Sequence, residues 1–177
     1  MRTLKYAILG LVSEQPMTGY DILKAFEGPL GNFWSAKHSQ IYPELKRLTQ
    51  EKLLDYDIAI TGTVMEKKVY TITKEGLAEL DEWLREDEPL APTAKDVFRL
   101  RMFFCNRLTH EETYQLLKSQ KVKHEERLDF LEGEYQAYQE KEQIEDNLGD
   151  FLVLSGAISR EKAYIEWLKD CMPYFEK

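Results

Sequence analysis

The chain has few of the residues that build metal centres, disulfide frameworks or membrane spans. Its 177 residues include only two cysteines, Cys105 and Cys171, and both lie in apolar stretches with a helical pattern, which indicates core thiols in a reducing compartment. The apolar stretch after Met1 is interrupted by Ser13 and Glu14, so it is too short for a membrane span, and it shows no signal cleavage pattern. We therefore expect a cytoplasmic protein with no membrane segment, and its 43% hydrophobic content can support a globular core.

Signatures of catalysis are missing too. The three histidines, His38, His110 and His124, are far apart, and the sequence has no His-x-x-x-His or Cys-x-x-Cys spacing for a metal. The glycines within residues 28–31 follow no predicted strand, so they do not form a phosphate-binding loop, and no nucleophile elbow appears. We expect a protein that is not an enzyme and that has no cofactor or metal site.

One short predicted helix carries both an apolar edge and a hydrogen-bonding edge. Ile41, Leu45 and Leu48 recur at i, i+4 and i+7 and so share one face, which a core must cover. Ser39 is the predicted N-cap, and Pro43 then lies early in the helix, where its missing amide costs little. The exposed start offers an imidazole, a hydroxyl, a carboxamide and a phenol, which can pair with base edges or phosphate oxygens. The alternative interpretation is an ordinary solvated helix face.

Two short helical patterns precede this helix, and two strand patterns joined by a turn follow it. Residues 56–60 alternate polar and apolar, residues 61–63 turn the chain, and residues 69–73 return it. The order helix, helix, helix, strand, turn, strand is typical of a winged helix-turn-helix, whose third helix can enter a major groove about 12 Å wide. A lysine pair near the turn can touch phosphates, although such pairs more often protect a strand edge. The predicted DNA contacts are Lys37, His38, Ser39, Gln40, Tyr42, Lys46, Thr61, Gly62, Thr63, Lys67 and Lys68.

The net charge of −8 taken alone argues against DNA binding, because phosphate neutralisation provides most non-specific affinity. The distribution of charge resolves this. Residues 86–177 carry 13 Lys and Arg against 20 Asp and Glu, whereas residues 37–74 carry 7 against 5. The positive charge is therefore local to the predicted contact surface, which favours specific binding over affinity for random DNA.

These residues resemble the PadR family of bacterial transcriptional repressors. The Tyr42-Pro43 pair and the Tyr70-x-Ile72-Thr73 element are general marks of that family, while residues 33–46 are more specific and resemble its phenolic-acid-responsive branch. The likeness continues past the wing and spans nearly the whole chain. It implies a dimeric repressor that binds a palindromic operator and leaves it when a small molecule binds. The other function left open is a winged-helix protein-interaction module with secondary or absent DNA binding.

We predict a mostly α fold with a small β-wing, divided into two domains. Residues 1–87 form the winged helix-turn-helix, residues 88–92 a charged, proline-marked linker, and residues 93–177 a helical dimerisation and effector-sensing domain. Thr93 is the predicted cap of a helix that is apolar almost all round, which predicts burial on several sides. Thr109 is the predicted cap of the next helix.

Two further helices, predicted around residues 109–141 and 151–171, carry apolar stripes that exceed what one contact within the chain would cover. We expect them to form an intertwined dimer interface, because a two-fold dimer would set two reading helices about 34 Å apart on the operator. The alternative is a monomeric helical lobe. The predicted interface residues are Tyr114, Leu117, Leu128, Leu131, Tyr135, Leu154, Ile158, Ile165 and Leu168.

The family resemblance also implies phenolic acids as effectors. The chain can supply aromatic walls, since it has 10 Tyr, 8 Phe and 3 Trp. A ligand acts only if it binds one state better, so we expect it between the DNA-binding domain and the dimer helices. The predicted lining residues are Phe151, Tyr164 and Trp167, although an aromatic residue at helical spacing is most often part of a core.

Overall fold

The structure is a computed structural model, and it describes residues 2–61, 65–90, 92–138 and 141–176. The chain divides into two compact units, Met1–Leu90 and Ala91–Lys177. The first unit contains α1 (Thr3–Glu14), β1 (Met17–Thr18), α2 (Gly19–Ala25), α3 (His38–Gln50), β2 (Leu54–Thr61), β3 (Met65–Ile72) and α4 (Lys74–Leu84). The second contains α5 (Val97–Phe103), α6 (His110–Tyr135), α7 (Lys141–Asp146) and α8 (Leu148–Cys171). The predicted fold class, mostly helical with a small antiparallel sheet, is confirmed.

The first unit has an apolar core where α1, α2 and α3 meet the sheet and α4. Ile41, Leu45 and Leu48 of α3 are fully buried, as their spacing predicts. Burying side chains of this size stabilises by about 1.5–3 kcal/mol each, which fixes the face of α3 that points outward. The Tyr6 ring of α1 stacks on Trp83 of α4 with centroids 4.4 Å apart, so the first and last helices of the unit are joined. The other buried core residues are Ile8, Leu9, Val12, Ile22, Phe26, Leu54, Tyr70 and Leu80.

The sheet has three antiparallel strands in the order β1-β3-β2. In the β2–β3 ladder, Tyr56 lies opposite Tyr70 and Ile58 lies opposite Lys68. Directly opposed residues share a face and side chains alternate along a strand, so these four side chains point to one side of the wing and Lys67 points to the other. Along β2, Leu54 is fully buried, Tyr56 is 38% exposed and Ile58 is 57% exposed, so this face passes from the core into solvent along the strand.

The second unit is built on two long antiparallel helices. His124 of α6 contacts Glu161 of α8, and Tyr135 contacts Phe151, so the two helices run in opposite directions. Thr109 caps α6 as predicted, in a capping box with the side chain three residues later. The prediction that this helix continues to residue 141 is wrong: α6 ends at residue 135, two residues after a glycine that weakens it. α8 begins at residue 148, three residues earlier than predicted.

The single chain does not bury α5, so the burial predicted for this helix stays a prediction that depends on a partner. The Asp96 carboxylate, not Thr93, caps this helix, since it accepts a hydrogen bond from the Arg99 N–H at 3.0 Å. Val97 is 63% exposed and Phe103 is 79% exposed, and every residue of α5 is at least partly accessible. An apolar residue in a sequence indicates only that some surface is expected to cover it. The second unit of this chain does not supply that surface for Val97 and Phe103.

Candidate nucleic-acid interface

α3 begins two residues earlier than predicted. Lys37 is the N-cap, with extended backbone angles, and His38 is the first helical residue. The predicted N-cap, Ser39, therefore lies within the first turn, and the Gln40 side-chain oxygen accepts a hydrogen bond from the Lys37 N–H at 3.0 Å. Gln40 thus serves as a cap of the helix start. Pro43 lies in the second turn, where it has no N–H to donate to the Ser39 carbonyl.

Tyr42 is fixed on the exposed side of α3 by the start of α2. A Cβ on Gly19 would lie 2.8 Å from Cε1 of Tyr42, so glycine is what lets the ring approach this closely. The centroid of the Tyr42 ring lies 4.5 Å from that of His38. Tyr42 is 41% exposed, so two neighbours hold a ring whose remaining surface faces solvent.

The α2 start is itself well ordered by a capping box. The Thr18 hydroxyl accepts a hydrogen bond from the Asp21 N–H at 3.2 Å, and the Asp21 carboxylate accepts one from the Thr18 N–H at 3.0 Å. The hydrogen bonds that the Thr18 hydroxyl and N–H donate lower the pKa of Asp21 below its ordinary value. The backbone against which Tyr42 packs is therefore held in place.

The wing carries a lysine above an aromatic ring. The Nζ atom of Lys68 lies 3.9 Å from the centroid of Tyr56, a cation–π contact. Tyr56 in turn lies 5.9 Å from Tyr70 across the ladder, measured between ring centroids. Burial raises the pKa of the Tyr70 hydroxyl, so this group is a neutral hydrogen-bond donor at physiological pH.

An open cleft of about 870 Å³ lies between α3, the start of α2 and the wing, which consists of β2 and β3. Four predicted DNA contacts, Tyr42, Lys46, Lys67 and Lys68, meet in it. The alternation of polar and apolar residues in β2 and β3 could have indicated that Tyr56 and Tyr70 share one face. It could not have indicated that this face lies beside α3, because that depends on tertiary packing. The lining residues that the sequence did not predict are Thr18, Gly19, Tyr20, Thr49, Gln50, Tyr56 and Tyr70.

The remaining predicted contacts lie elsewhere. Lys37, His38 and Ser39 are exposed at the start of α3, outside the lining of the cleft. Thr61 is the last residue of β2. The other two predicted wing-tip residues, at positions 62 and 63, lie outside the described residues.

An ion-pair cluster fixes α3 from its other edge. Arg2 donates to Oε1 of Glu44 from Nε at 3.1 Å and from Nη2 at 2.6 Å, and to Oε1 of Glu51 from Nη1 at 2.5 Å. Glu44 is only 7% exposed, and a buried carboxylate is costly without such a partner. The hydrogen bond from the guanidinium holds the pKa of Glu51 below its ordinary value. The N-terminal segment therefore ties both α3 and the residue that caps its C-terminal end to the body of the unit.

Most of the predicted dimer-interface residues pack within the single chain. Leu117, Leu131 and Leu168 are buried, and Leu131 forms a cluster with Leu154 and Ile158. The packing of α6 on α8 explains this burial without a second chain, so the assignment of these residues to a dimer interface stays a prediction. Of the other predicted residues, Ile165 is buried, Tyr114 and Leu128 are half-buried, and Tyr135 is exposed.

The three predicted effector-lining residues occupy two places. Tyr164 and Trp167 are neighbours on α8, with ring centroids 5.1 Å apart. The Tyr164 ring stacks on His124 at 4.0 Å, and its hydroxyl donates to Asp96 at 2.6 Å. Burial and that hydrogen bond raise the pKa of Tyr164. Phe151 lies more than three turns earlier on the helix, about 20 Å along its axis, and packs against other aromatic rings.

Two other expectations concern membranes and metals. Within the described ranges, no helix has the length and apolar character needed to cross a membrane. The same part of the chain contains no group of three or more His, Cys, Asp and Glu side chains that could hold a metal ion. Cys105 and Cys171 are free thiols, both half-buried.

A helix with one buried edge and an exposed polar start, beside a lysine-bearing wing, defines a winged helix-turn-helix protein. Residues 8–82 match the family described as "Transcriptional regulator PadR-like family", and residues 94–176 match the one described as "Virulence activator alpha C-term". Since the chain is also 42% identical over its full length to a transcriptional regulator of this family, it belongs to the PadR-like family, which confirms the predicted family.

The chain is similar over its full length to a characterised relative. It is 42% identical over 181 residues to the negative transcriptional regulator PadR of Bacillus subtilis (strain 168), and 100% of each chain is covered. The crystal structure of Bacillus subtilis PadR in complex with operator DNA matches with a TM-score of 0.92 and 42% identity, covering 99% of this chain and 100% of that one. The complex of the same protein with p-coumaric acid matches with a TM-score of 0.86 and 39% identity over the same shares.

Proposed function

We propose that this chain is a sequence-specific transcriptional repressor that binds a palindromic operator as a dimer and is released by a small aromatic acid. The observation that carries the proposal is the placement of α3: its apolar edge is buried, while Tyr42 and Lys46 line a cleft with the lysines of the wing. A helix presented in this way fits a major groove. The similarity to a protein solved with operator DNA and with p-coumaric acid supports the same function.

The proposed DNA contacts divide into two chemical groups. The four lysines of the predicted set are cations for phosphate oxygens. His38, Ser39 and Tyr42 present donors and acceptors that can reach base edges from the exposed start of α3. Gln40 was predicted to contact DNA, but its side-chain oxygen already accepts a hydrogen bond from the Lys37 N–H, so we assign it to positioning the helix. Residues 61–63 remain proposed backbone contacts at the wing tip.

The second copy is proposed to cover exposed apolar side chains of the second unit, together with α6 and α8. Leu100, Phe103 and Phe104 are 60%, 79% and 58% exposed. Monomeric proteins rarely leave large apolar patches in contact with water, and a winged helix used singly reads only one half-site. A two-fold dimer would cover the apolar surface and would also place a second reading helix on the other half-site. Further exposed apolar residues of this unit include Val97, Leu116, Val122, Phe130, Leu148 and Leu152.

Tyr164 and Trp167 are the proposed effector contacts. Their rings meet edge to face and are half-buried, an arrangement onto which a planar aromatic acid can pack. Phe151 lies too far along α8 to share a single-ring ligand with them, so we assign it to packing. An effector at this place would act by binding the operator-free state better.

We further propose that the protein has no catalytic activity, needs no cofactor and works in the cytoplasm. The support for this is its membership of a family of transcriptional regulators, whose task requires access to DNA and no chemical step. Enzymatic activity is not needed for the switch, because differential binding of a ligand is sufficient.

The test is a titration of the full-length protein on its own upstream intergenic DNA at about 50 mM and about 200 mM salt. We expect a footprint of two spaced half-sites and a log-log salt slope of several units. Replacing Lys68 by Met should weaken binding to all sequences alike and reduce the slope by about one unit. The matched control is Lys123→Met, an exposed lysine of α6. If no sequence-selective binding occurs, the repressor proposal is wrong and the protein-interaction module is favoured.

A further inference from the structure

We propose that the cleft between α3 and the wing is itself a binding site for small aromatic acids, separate from Tyr164 and Trp167. Occupation of this cleft would block the operator directly. The inference deepens the proposed function and rests on it for its regulatory meaning, because the ligand would compete with DNA for the same lysines.

The cleft has the size and shape of a ligand site. Its volume of about 870 Å³ lies in the range of ordinary small-molecule pockets, about 300–1,000 Å³. Its walls come from three separate elements, so a ligand there would be contacted from more than one side, although the cleft is open to solvent. The rings of Tyr20, Tyr42, Tyr56 and Tyr70 all line it. Contact with DNA phosphates requires only hydrogen-bond donors and cations. It does not explain why four aromatic rings line the same cleft.

Several of these rings are held in place before a ligand arrives. Tyr42 is packed against Gly19, and Tyr56 pairs with Tyr70 across the β2–β3 ladder. Tyr56 also carries the ammonium group of Lys68 over its face at 3.9 Å. Rings that are already ordered lose little freedom on binding, so stacking against them retains most of its favourable free energy.

The charges in the cleft select an anion. Lys46, Lys67 and Lys68 line it, Lys67 from the other face of β3, and none of the described residues that line it is an Asp or a Glu. A carboxylate accepts strong charge-assisted hydrogen bonds from ammonium groups, and tyrosine hydroxyls can donate to it or to a ring substituent. The geometry therefore matches a planar ring that bears one negative group. A flat aromatic carboxylate of the p-coumaric acid type has both features.

Binding here would exclude the operator without a conformational change. The lysines that would hold the carboxylate are those proposed to hold DNA phosphates, so one occupant must leave before the other binds. A second site also predicts a stoichiometry. The DNA-free protein should bind two aromatic acid molecules per chain, and the operator complex should lack the cleft molecule.

The experiment is a calorimetric titration of p-coumaric acid into the full-length, DNA-free protein. We expect the Tyr56→Leu and Lys68→Met double variant to lose about tenfold in affinity at one of two sites. Tyr20 is 60% exposed, so Tyr20→Leu tests the same site with little risk to folding. The controls are Tyr174→Leu, at a residue 78% exposed in the second unit, and Lys123→Met. Both controls should bind like the parent protein.

Three outcomes would overturn the proposal. The first is identical stoichiometry and affinity in the parent protein and both cleft variants. The second is equal displacement of p-coumaric acid by inorganic phosphate or by cyclohexanecarboxylate, since either result would show a site for anions without selection of a ring. The third is an operator complex that binds as many molecules as the free protein. The first two arms contain no DNA, so they remain decisive even if operator binding itself fails.

Discussion

At the scale of single residues, Gln40 shows how a side chain suited to reading DNA can be used inside the protein. Its oxygen accepts from the Lys37 N–H at 3.0 Å, which fixes the first turn of α3. We expect Gln40→Ala to lower the free energy of unfolding by about 1 kcal/mol and to weaken all operator variants alike. Urea unfolding and binding to a set of single-base operator changes would measure both effects.

The matched variant for that test is Gln40→Glu, which keeps the acceptor oxygen. It should retain most of the stability that alanine loses, because the hydrogen bond from the Lys37 N–H remains available. A change of base preference in Gln40→Ala, without loss of stability, would show that the amide reads a base after all.

Gly19 is a second residue that determines the position of a side chain in the site, the ring of Tyr42. A methyl group there would come within 2.8 Å of the Tyr42 ring, which must then move out of the cleft. We expect Gly19→Ala to reduce operator affinity while the protein stays folded. The control is Gly10→Ala in α1, where a Cβ meets no atom within 4 Å, and it should stabilise the fold by about 0.5–1 kcal/mol. Thermal unfolding and operator titration compare the two; equal operator affinity would contradict the role of Gly19.

At the scale of elements, the cluster of Arg2 with Glu44 and Glu51 links the N-terminal segment to α3, and it predicts a pH dependence. Hydrogen bonding to Arg2 lowers the pKa of Glu51 below the ordinary value of 4.5. The stabilisation is therefore fully present above that value and is lost as the pH falls through the lower pKa of the folded protein. Between about pH 6 and about pH 3.5, the melting temperature of Glu51→Gln should fall less than that of the parent protein. Parallel curves for the two proteins would contradict this.

Regular elements followed from the sequence where periodicity decided the outcome. Ile41, Leu45 and Leu48 predicted the buried edge of α3, because a 3.6-residue repeat encodes which face is covered. Helix ends were less predictable. Thr93 and Asp96 are both good caps, and only the local backbone decides that Asp96 is used. The aromatic wall of the cleft was missed for a related reason: Tyr56 and Tyr70 meet Tyr42 only once the register of the wing and its packing on α3 are set.

At the scale of the whole molecule, the sequence does not determine which apolar stripes form the dimer interface. The apolar stripes that suggested a second chain are largely used by α6 and α8 to pack on each other, because a heptad pattern does not state whether its partner is in the same chain. The apolar side chains that remain exposed include Leu100 and Phe103 of α5, and also Phe130 of α6 and Leu152 of α8. The sequence alone indicated that apolar surface had to be buried. It could not indicate which of the apolar stripes packs within the chain and which is left for a second chain.

This surface leads to a prediction for assembly. Phe103 is 79% exposed within the chain, so Phe103→Asp should leave the fold of each unit intact while weakening the dimer by about 30-fold. Operator affinity should fall with it, since two linked reading helices bind better than one. Sedimentation at several protein concentrations would measure the change. Leu84→Asp, at a residue 65% exposed in α4, is the control, and an unchanged dimer in Phe103→Asp would remove α5 from the interface.

The edge-to-face pair of Tyr164 and Trp167 gives the chain an optical reporter of its own. The other two tryptophans, Trp34 and Trp83, both belong to the first unit, so their replacement by phenylalanine would leave indole emission from the second unit alone. Quenching or a wavelength shift on adding an aromatic acid would then come from the surroundings of Trp167. Events in the two halves of the molecule could in this way be timed separately, without an attached dye.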